Sequence, residues 1–249
     1  MGDVVPAIEI RGARAGYGTS TVIEGIDLRV GSGEVLAIVG RSGTGKTTLL
    51  RLISGALGPM AGEVLLAGAD PSAARRSKRI GFVGQDSALH PWRTVRENVH
   101  LPLEVNHNGH HPGPTADDLV ALVGLATAAD AYPHELSGGM RQRVAVARSL
   151  VADPAILLMD EPLSSLDELT REDLRLELVG FWGESRTVVY VTHDVAEAVW
   201  LADRVAVLAG TPGRIVGIVD VPLARPRDAT LRRDARFLDV VDAVRALLR

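Results

Sequence analysis

The apolar run Val35-Leu36-Ala37-Ile38-Val39 is followed at once by Gly40-Arg41-Ser42-Gly43-Thr44-Gly45-Lys46-Thr47, and then by a helical pattern over residues 46–53. No other feature restricts the fold as much. The run is rich in β-branched residues and too short for a buried helix, so it reads as a buried strand. The octapeptide matches the phosphate-loop pattern G-x-x-x-x-G-K-[ST]. Its glycines let the backbone turn tightly and aim N–H groups at phosphate oxygens, and the following helix adds the positive end of its dipole. Lys46 can reach the β- and γ-phosphates of a nucleotide, and Thr47 can offer its hydroxyl to Mg²⁺. Strand, loop and helix in this order point to an α/β fold that holds a nucleotide. The loop alone leaves transporters, kinases, GTPases and helicases open.

The rest of the chain is consistent with a sheet that carries helices. Strand patterns fall at residues 8–15 and 25–30, split by the turn-prone Gly16-Tyr17-Gly18, and at 63–66, 79–83, 155–159, 187–191, 204–208 and 214–219. Helical patterns fall at 169–182 and 195–200, and Phe237, Val241, Val244 and Leu248 share one helical face near the end. Between residues 94 and 152 the pattern is mostly helical, with a polar break at 106–114, and reads as an inserted subdomain.

Composition excludes several classes. At 249 residues the chain can bury a full core. A net charge of −4 argues against a dedicated nucleic-acid binder. With no Cys, disulfides and Cys-ligated metals are ruled out. Lys occurs only at Lys46 and Lys78, which makes Lys46 conspicuous. No stretch approaches the ~20 apolar residues that span a bilayer. Met1-Gly2-Asp3-Val4-Val5-Pro6 lacks a basic region and an apolar signal core. The expectation is a chain in the cytoplasm, held at the membrane only by another polypeptide.

The apolar strand at 155–159 runs into Asp160-Glu161. A carboxylate at a strand end lies near the phosphates in such folds, where Asp160 can hold Mg²⁺ directly or through water. Glu161 stands one residue further, where it could polarise an attacking water. Between loop and acids lies Leu136-Ser137-Gly138-Gly139-Met140-Arg141-Gln142-Arg143.

With that segment in this place, the chain from residue 8 to about 228 resembles the ATP-binding subunits of ATP-binding-cassette (ABC) transporters. The resemblance implies a phosphate-loop fold of the ABC ATPase type: a RecA-like mixed-sheet core, an N-terminal antiparallel β-subdomain and an inserted α-helical subdomain. Core and β-subdomain would occupy 1–93 and 153–228, the helical signature subdomain 94–152, and a C-terminal helix 229–249. The implied nucleotide contacts are Gly40, Arg41, Ser42, Gly43, Thr44, Gly45, Lys46, Thr47 and Thr48, with Tyr17 stacking on adenine. Gln85 resembles the family's glutamine that approaches Mg²⁺ and the attacking water, and His193 its switch histidine on the γ-phosphate. Ser137, Gly138 and Gly139 would touch the ATP held by a second copy of the chain. Asp167, in Ser165-Leu166-Asp167, belongs to the loop that links the two sites. The chain is thus expected to hydrolyse ATP with Mg²⁺ as a dimer, at the cytoplasmic face of the plasma membrane, bound to integral permease subunits.

The segment from Gln85 to Val99, with its Leu89-His90-Pro91-Trp92 element, together with Thr192-His193-Asp194-Val195-Ala196-Glu197-Ala198 and Pro212-Gly213-Arg214-Ile215-Val216, is similar to the ATPases of nitrate, sulfonate and taurine importers. Pro91-Trp92 would form an apolar knob for the permease, within the stretch from Gln85 to Trp92; a Trp filling the junction between lobes is the rival reading. A solute-binding protein would be an indirect partner. His107, His110 and His111 are read as a solvated loop in preference to a metal site. Few residues follow Asp228, which leaves little room for an appended regulatory domain. Other ABC importers, exporters, and repair or translation ATPases are alternatives. Repair ATPases carry coiled-coil arms or zinc inserts, and translation ATPases carry two cassettes; the sequence shows neither.

Overall fold

The computed structural model describes residues 5–105, 113–182, 185–225, 227 and 229–249. The histidines at 107, 110 and 111 lie outside these residues. In chain order the elements are β1 (Ile8–Tyr17), β2 (Ser20–Val30), β3 (Val35–Val39), α1 (Lys46–Ile53), β4 (Ala61–Leu66), α2 (Pro71–Arg76), β5 (Ile80–Val83), α3 (Val95–Glu104), α4 (Ala116–Leu122), α5 (Gly138–Leu150), β6 (Ile156–Asp160), α6 (Glu168–Trp182), β7 (Thr187–Val191), α7 (Val195–Leu201), β8 (Arg204–Ala209), β9 (Arg214–Asp220) and α8 (Ala235–Leu247). They form two compact units, one of residues 1–77 with 184–249 and one of residues 78–183.

In the first unit β2, β1 and β4 make an antiparallel sheet. A second sheet runs β7-β3-β8-β9, parallel except for β9, which returns antiparallel to β8. Every residue of β3 and of β7 is buried, as expected of strands covered on both faces. Helix α7 packs on β3 and α8. In the second unit β5 pairs in parallel with β6, and α3, α4 and α5 pack on one another. The α/β class, the N-terminal antiparallel sheet and the helical insertion are all as expected.

Differences from the expectation lie at element ends and in one added helix. The first hairpin keeps its pairing through Gly16↔Thr21 and Tyr17↔Ser20, so β1 includes Tyr17 and the turn is Gly18-Thr19, with Gly18 at φ 57. Helix α2 is an addition to the expected elements; Asp70 caps it by accepting from Ser72 N at 2.8 Å. On α8, Phe237, Val241 and Val244 are buried as expected and Val240 joins them, whereas Leu248 is the half-buried C-cap.

Candidate nucleotide site

The phosphate loop is built by clearance. Gly45 caps α1 at φ 98, and Gly43 has φ 81, both in the left-handed region that a Cβ disfavours. A Cβ on Gly40 would lie 2.4 Å from Leu208 O, and one on Gly45 2.5 Å from Ile23 Cγ2. The neighbouring Gly213 is closer still, with its Cβ position 2.0 Å from Thr44 O. Thr44 Oγ1 donates to Arg41 O at 2.9 Å. Lys46, only 8% exposed, donates to Gly40 O at 2.9 Å and Arg41 O at 3.2 Å. Thr48 is buried, Thr47 half-buried, and Arg41 and Ser42 exposed. A tight backbone cradle, a helix start capped by glycine and an ammonium within the loop together suit phosphate oxygens.

Strand register places other residues relative to this loop. Ile38 of β3 pairs with Val191 of β7, so the loop after β3 and the turn carrying His193 leave the same sheet edge. His193 is exposed. The residues around it are clamped. Tyr190 Oη and Thr192 Oγ1 donate to the buried Glu197 carboxylate at 3.2 and 2.6 Å, and Asp194 N donates to Thr192 Oγ1 at 3.1 Å. Tyr17 ends β1, is 47% exposed, and its hydroxyl accepts from Arg51 at 2.9 Å.

The second unit repeats the device. Val83 of β5 pairs with Met159 of β6, so Gly84-Gln85 and Asp160-Glu161 leave the same edge of that pair. Asp160 is 3% exposed and Gln85 is exposed. Glu161 has φ 48, a left-handed backbone that costs a residue with a Cβ about 1–2 kcal/mol. Its carbonyl accepts from Ser164 N and Ser164 Oγ at 3.2 and 3.0 Å, which holds the strained turn. Strain of this kind gathers at functional sites.

Ser137 caps α5, its Oγ accepting from Met140 N at 3.2 Å, and Ser137 and Gly138 are exposed. A Cβ on Gly139 would lie 2.8 Å from Leu166 Cδ2, so the first turn of α5 rests on Ser165-Leu166-Asp167. Arg171 pins that loop by donating to Leu163 O and Leu166 O at 3.2 and 2.6 Å. The Thr170 amide donates to the Asp167 carboxylate and holds it below the usual carboxylate range.

Trp92 is 70% exposed. The ring of His90 lies 5.2 Å from it. Asn98, fully buried, shapes the loop beneath: its Oδ1 accepts from His90 N, and its Nδ2 donates to His90 O, Arg93 O and Thr94 O.

The bracing by Asn98, Glu197 and Arg227, like that by Arg171, escapes sequence reasoning. Buried Arg227 donates to Val199 O, Trp200 O, Ala202 O and Leu223 O, closing the C-terminal end of α7. Burial pushes its guanidinium down to about 10, so it stays charged at neutral pH. Asp194-x-x-Glu197 has the spacing of a helix start, and that is the one signal the sequence offers. The partners of Asn98 and Arg227 have no sequence signature. Among the described residues, no helix is long and apolar enough to cross a membrane.

The fold and the loop define a phosphate-loop nucleotide-binding protein with an antiparallel sheet and a helical unit added to its core. Comparison with known proteins gives the family. The sequence model of the ABC transporter family matches residues 23–164. The aliphatic sulfonates import ATP-binding protein SsuB of Ralstonia nicotianae is 47% identical over 236 residues, covering 94% of this chain and 80% of that protein. The bicarbonate transport ATP-binding protein CmpD of Synechocystis is 39% identical over 216 residues, covering 85% and 76%. A solved dimeric ATP-binding cassette, in a post-hydrolysis state with ADP and Pi, superposes with a TM-score of 0.77 at 31% identity, covering 87% of this chain and all of that one. The chain belongs to the ABC transporter family, as an ATP-binding and ATP-hydrolysing subunit.

Proposed function

We propose that this chain drives uptake of a small anion or organosulfur compound, of the nitrate, sulfonate, taurine or bicarbonate type, as the ATPase of an ABC importer. The observation that carries the reading is the exposed, internally braced Pro91-Trp92 knob in a chain whose relatives include sulfonate and bicarbonate import subunits. The subunit sits on the cytoplasmic face of the membrane and docks on integral permease subunits through the stretch from Gln85 to Trp92. A solute-binding protein delivers the substrate to the permease.

In this reading two copies close over two ATP molecules. Lys46 and the amides from Gly40 to Thr48 hold the phosphates, and Tyr17 stacks on adenine. Lys46, whose ammonium bonds the Gly40 and Arg41 carbonyls within the loop, gives its charge to the phosphate oxygens. Thr47, Gln85 and Asp160 offer oxygen donors, the set that Mg²⁺ takes, and the ion when bound offsets phosphate charge. Glu161, held in its strained turn, orients water for in-line attack, and His193 steadies the γ-phosphate. Ser137, Gly138 and Gly139 engage the ATP of the other copy, and Asp167 links the two sites.

Two measurements test this. Deleting the chain from its host should abolish uptake of one of labelled taurine, an alkanesulfonate, nitrate or bicarbonate; unchanged uptake of all four sinks the substrate class. In the assembled complex in proteoliposomes, Trp92→Ala should leave ATP hydrolysis running while transport falls. Normal transport by a fully assembled variant counts against the docking surface.

A further inference from the structure

The end of the first hairpin and the last turn of α1 meet at one hydrogen bond, from Arg51 Nη1 to Tyr17 Oη at 2.9 Å. Both backbones are fixed there. Tyr17 closes β1 through its pairing with Ser20, and Ser20 O leaves no room for a Cβ on Gly16. Arg51 O accepts from Ala56 N, Leu57 N and Ser54 Oγ, each at 3.0 Å, so the chain leaving α1 folds back onto that residue. The same chain then joins β1, where Met60 N donates to Arg14 O at 2.7 Å. Helix α1 is seated by the buried Leu49, Leu50, Leu52 and Ile53. Arg51 is exposed and lies one turn beyond Thr47 on the same helix face. Among the described residues it has no carboxylate partner, so its guanidinium is committed to the Tyr17 hydroxyl oxygen.

We propose that Arg51 is a positioning residue for the base of the nucleotide, holding the Tyr17 ring at the angle that stacks on adenine. This rests on the reading that Tyr17 is the stacking ring. Tyr17 is 47% exposed, and an exposed aromatic side chain at a strand end has more than one staggered χ1 well open to it. Aromatic planes pack face to face in offset register, and a base entering beside a fixed helix meets that geometry in one of those wells. With Cα fixed by the hairpin and Oη by Arg51, both ends of the ring's long axis are pinned. Rotation about that axis is the freedom left, and the base settles it on contact. The ring is ordered before the nucleotide arrives, so the cost of ordering it is not subtracted from binding. The bond has a cationic donor, which strengthens it at an exposed site. Arg51 shares its helix with the phosphate loop: from Lys46 to Arg51 the rise is about 7.5 Å, so base and phosphate contacts keep a fixed spacing.

The test compares binding of ATP with binding of inorganic tripolyphosphate, which has the phosphates and no base, to the full chain by isothermal titration with Mg²⁺. Arg51→Met should weaken ATP binding roughly 3–10-fold, the scale of one hydrogen bond, and leave tripolyphosphate binding nearly unchanged. Tyr17→Phe keeps the ring and removes the acceptor, and should lose as much as Arg51→Met. The double variant should lose no more than either alone, because both break the same bond. Equal losses for ATP and tripolyphosphate in Arg51→Met, with Tyr17→Phe like the wild type, overturn the positioning role and leave Arg51 acting by charge alone. Tyr17→Ala separates this failure from that of the underlying reading. If it weakens ATP binding selectively while Tyr17→Phe changes nothing, Tyr17 stacks and Arg51 does not position it. If Tyr17→Ala leaves ATP binding unchanged, the stacking reading fails and the positioning role with it. Should Arg51→Met unfold, Tyr17→Phe decides: a selective loss of ATP affinity supports the positioning role, and wild-type binding ends it.

Discussion

The two units of the molecule use the same device, a pair of parallel strands ending at one edge, and brace it in opposite ways. Around the phosphate loop the bracing is by absent side chains: Gly40, Gly45 and Gly213 let backbone meet its neighbours at distances no Cβ allows. In the second unit it is by long side chains reaching carbonyls: Gln142, Arg148 and Arg171 hold loops that have no ladder of their own. A cradle lined with backbone is stiff and serves any ligand of one shape, as phosphate binding requires. Loops held by side chains can take two arrangements.

Removing charge from each unit should therefore have different consequences. Lys46→Ala should lose ATP binding. Glu161→Gln should bind ATP and dimerise, with turnover lower by roughly 10²–10⁴-fold. Equilibrium binding of a fluorescent ATP analogue beside phosphate release separates the two, and equal ATP affinity in both variants would erase the distinction. Next in size is Arg227→Met. It strips a buried guanidinium from the carbonyls of Leu223, Val199, Trp200 and Ala202 and should cost on the order of 2–4 kcal/mol in urea unfolding.

Gly213→Ala, whose Cβ would meet Thr44 O at 2.0 Å, should cost about 1–3 kcal/mol and weaken ATP binding. Gly180→Ala sits in the exposed face of α6 with nothing within 4 Å and should instead stabilise by ~0.5–1 kcal/mol. Thermal melts of the pair would show opposite signs. The smallest effect concerns Asp167. Its carboxyl is held below the usual range by the Thr170 amide, so its ionised form adds stability above the ordinary carboxylate pKa. That stability is lost as pH falls through the lowered value. Asp167→Asn should therefore be slightly less stable at neutral pH, with the gap closing on acidification; a gap independent of pH would show that charge plays no part.

Much of the site is legible in the order of residues alone. Gly40–Thr47 announces itself because each position is demanded by local geometry: tight turn, helix start, one cation. The strands Val35–Val39, Ile156–Asp160 and Thr187–Val191 are legible because a strand covered on both faces is mostly apolar. Asp160-Glu161 follows from a strand that ends in acid. The hairpin turn falls two residues later than Gly16 suggests, since the pairing through Tyr17↔Ser20 depends on a partner strand and not on one glycine. Asn98, Glu197 and Arg227 are not legible as braces. A buried Asn with four backbone partners looks like any other Asn until the loop it holds folds over it.

The sequence by itself determined the phosphate loop, the order of strands and helices, and the acidic strand end, since periodicity and local backbone demands write these into neighbouring residues. Only the tertiary structure decided which side chains brace the working loops. Arg148 meets Ser87 and Ala88 across separations of 61 and 60 residues along the chain. Such contacts depend on where packing leaves a carbonyl exposed to a donor, and no local pattern encodes that.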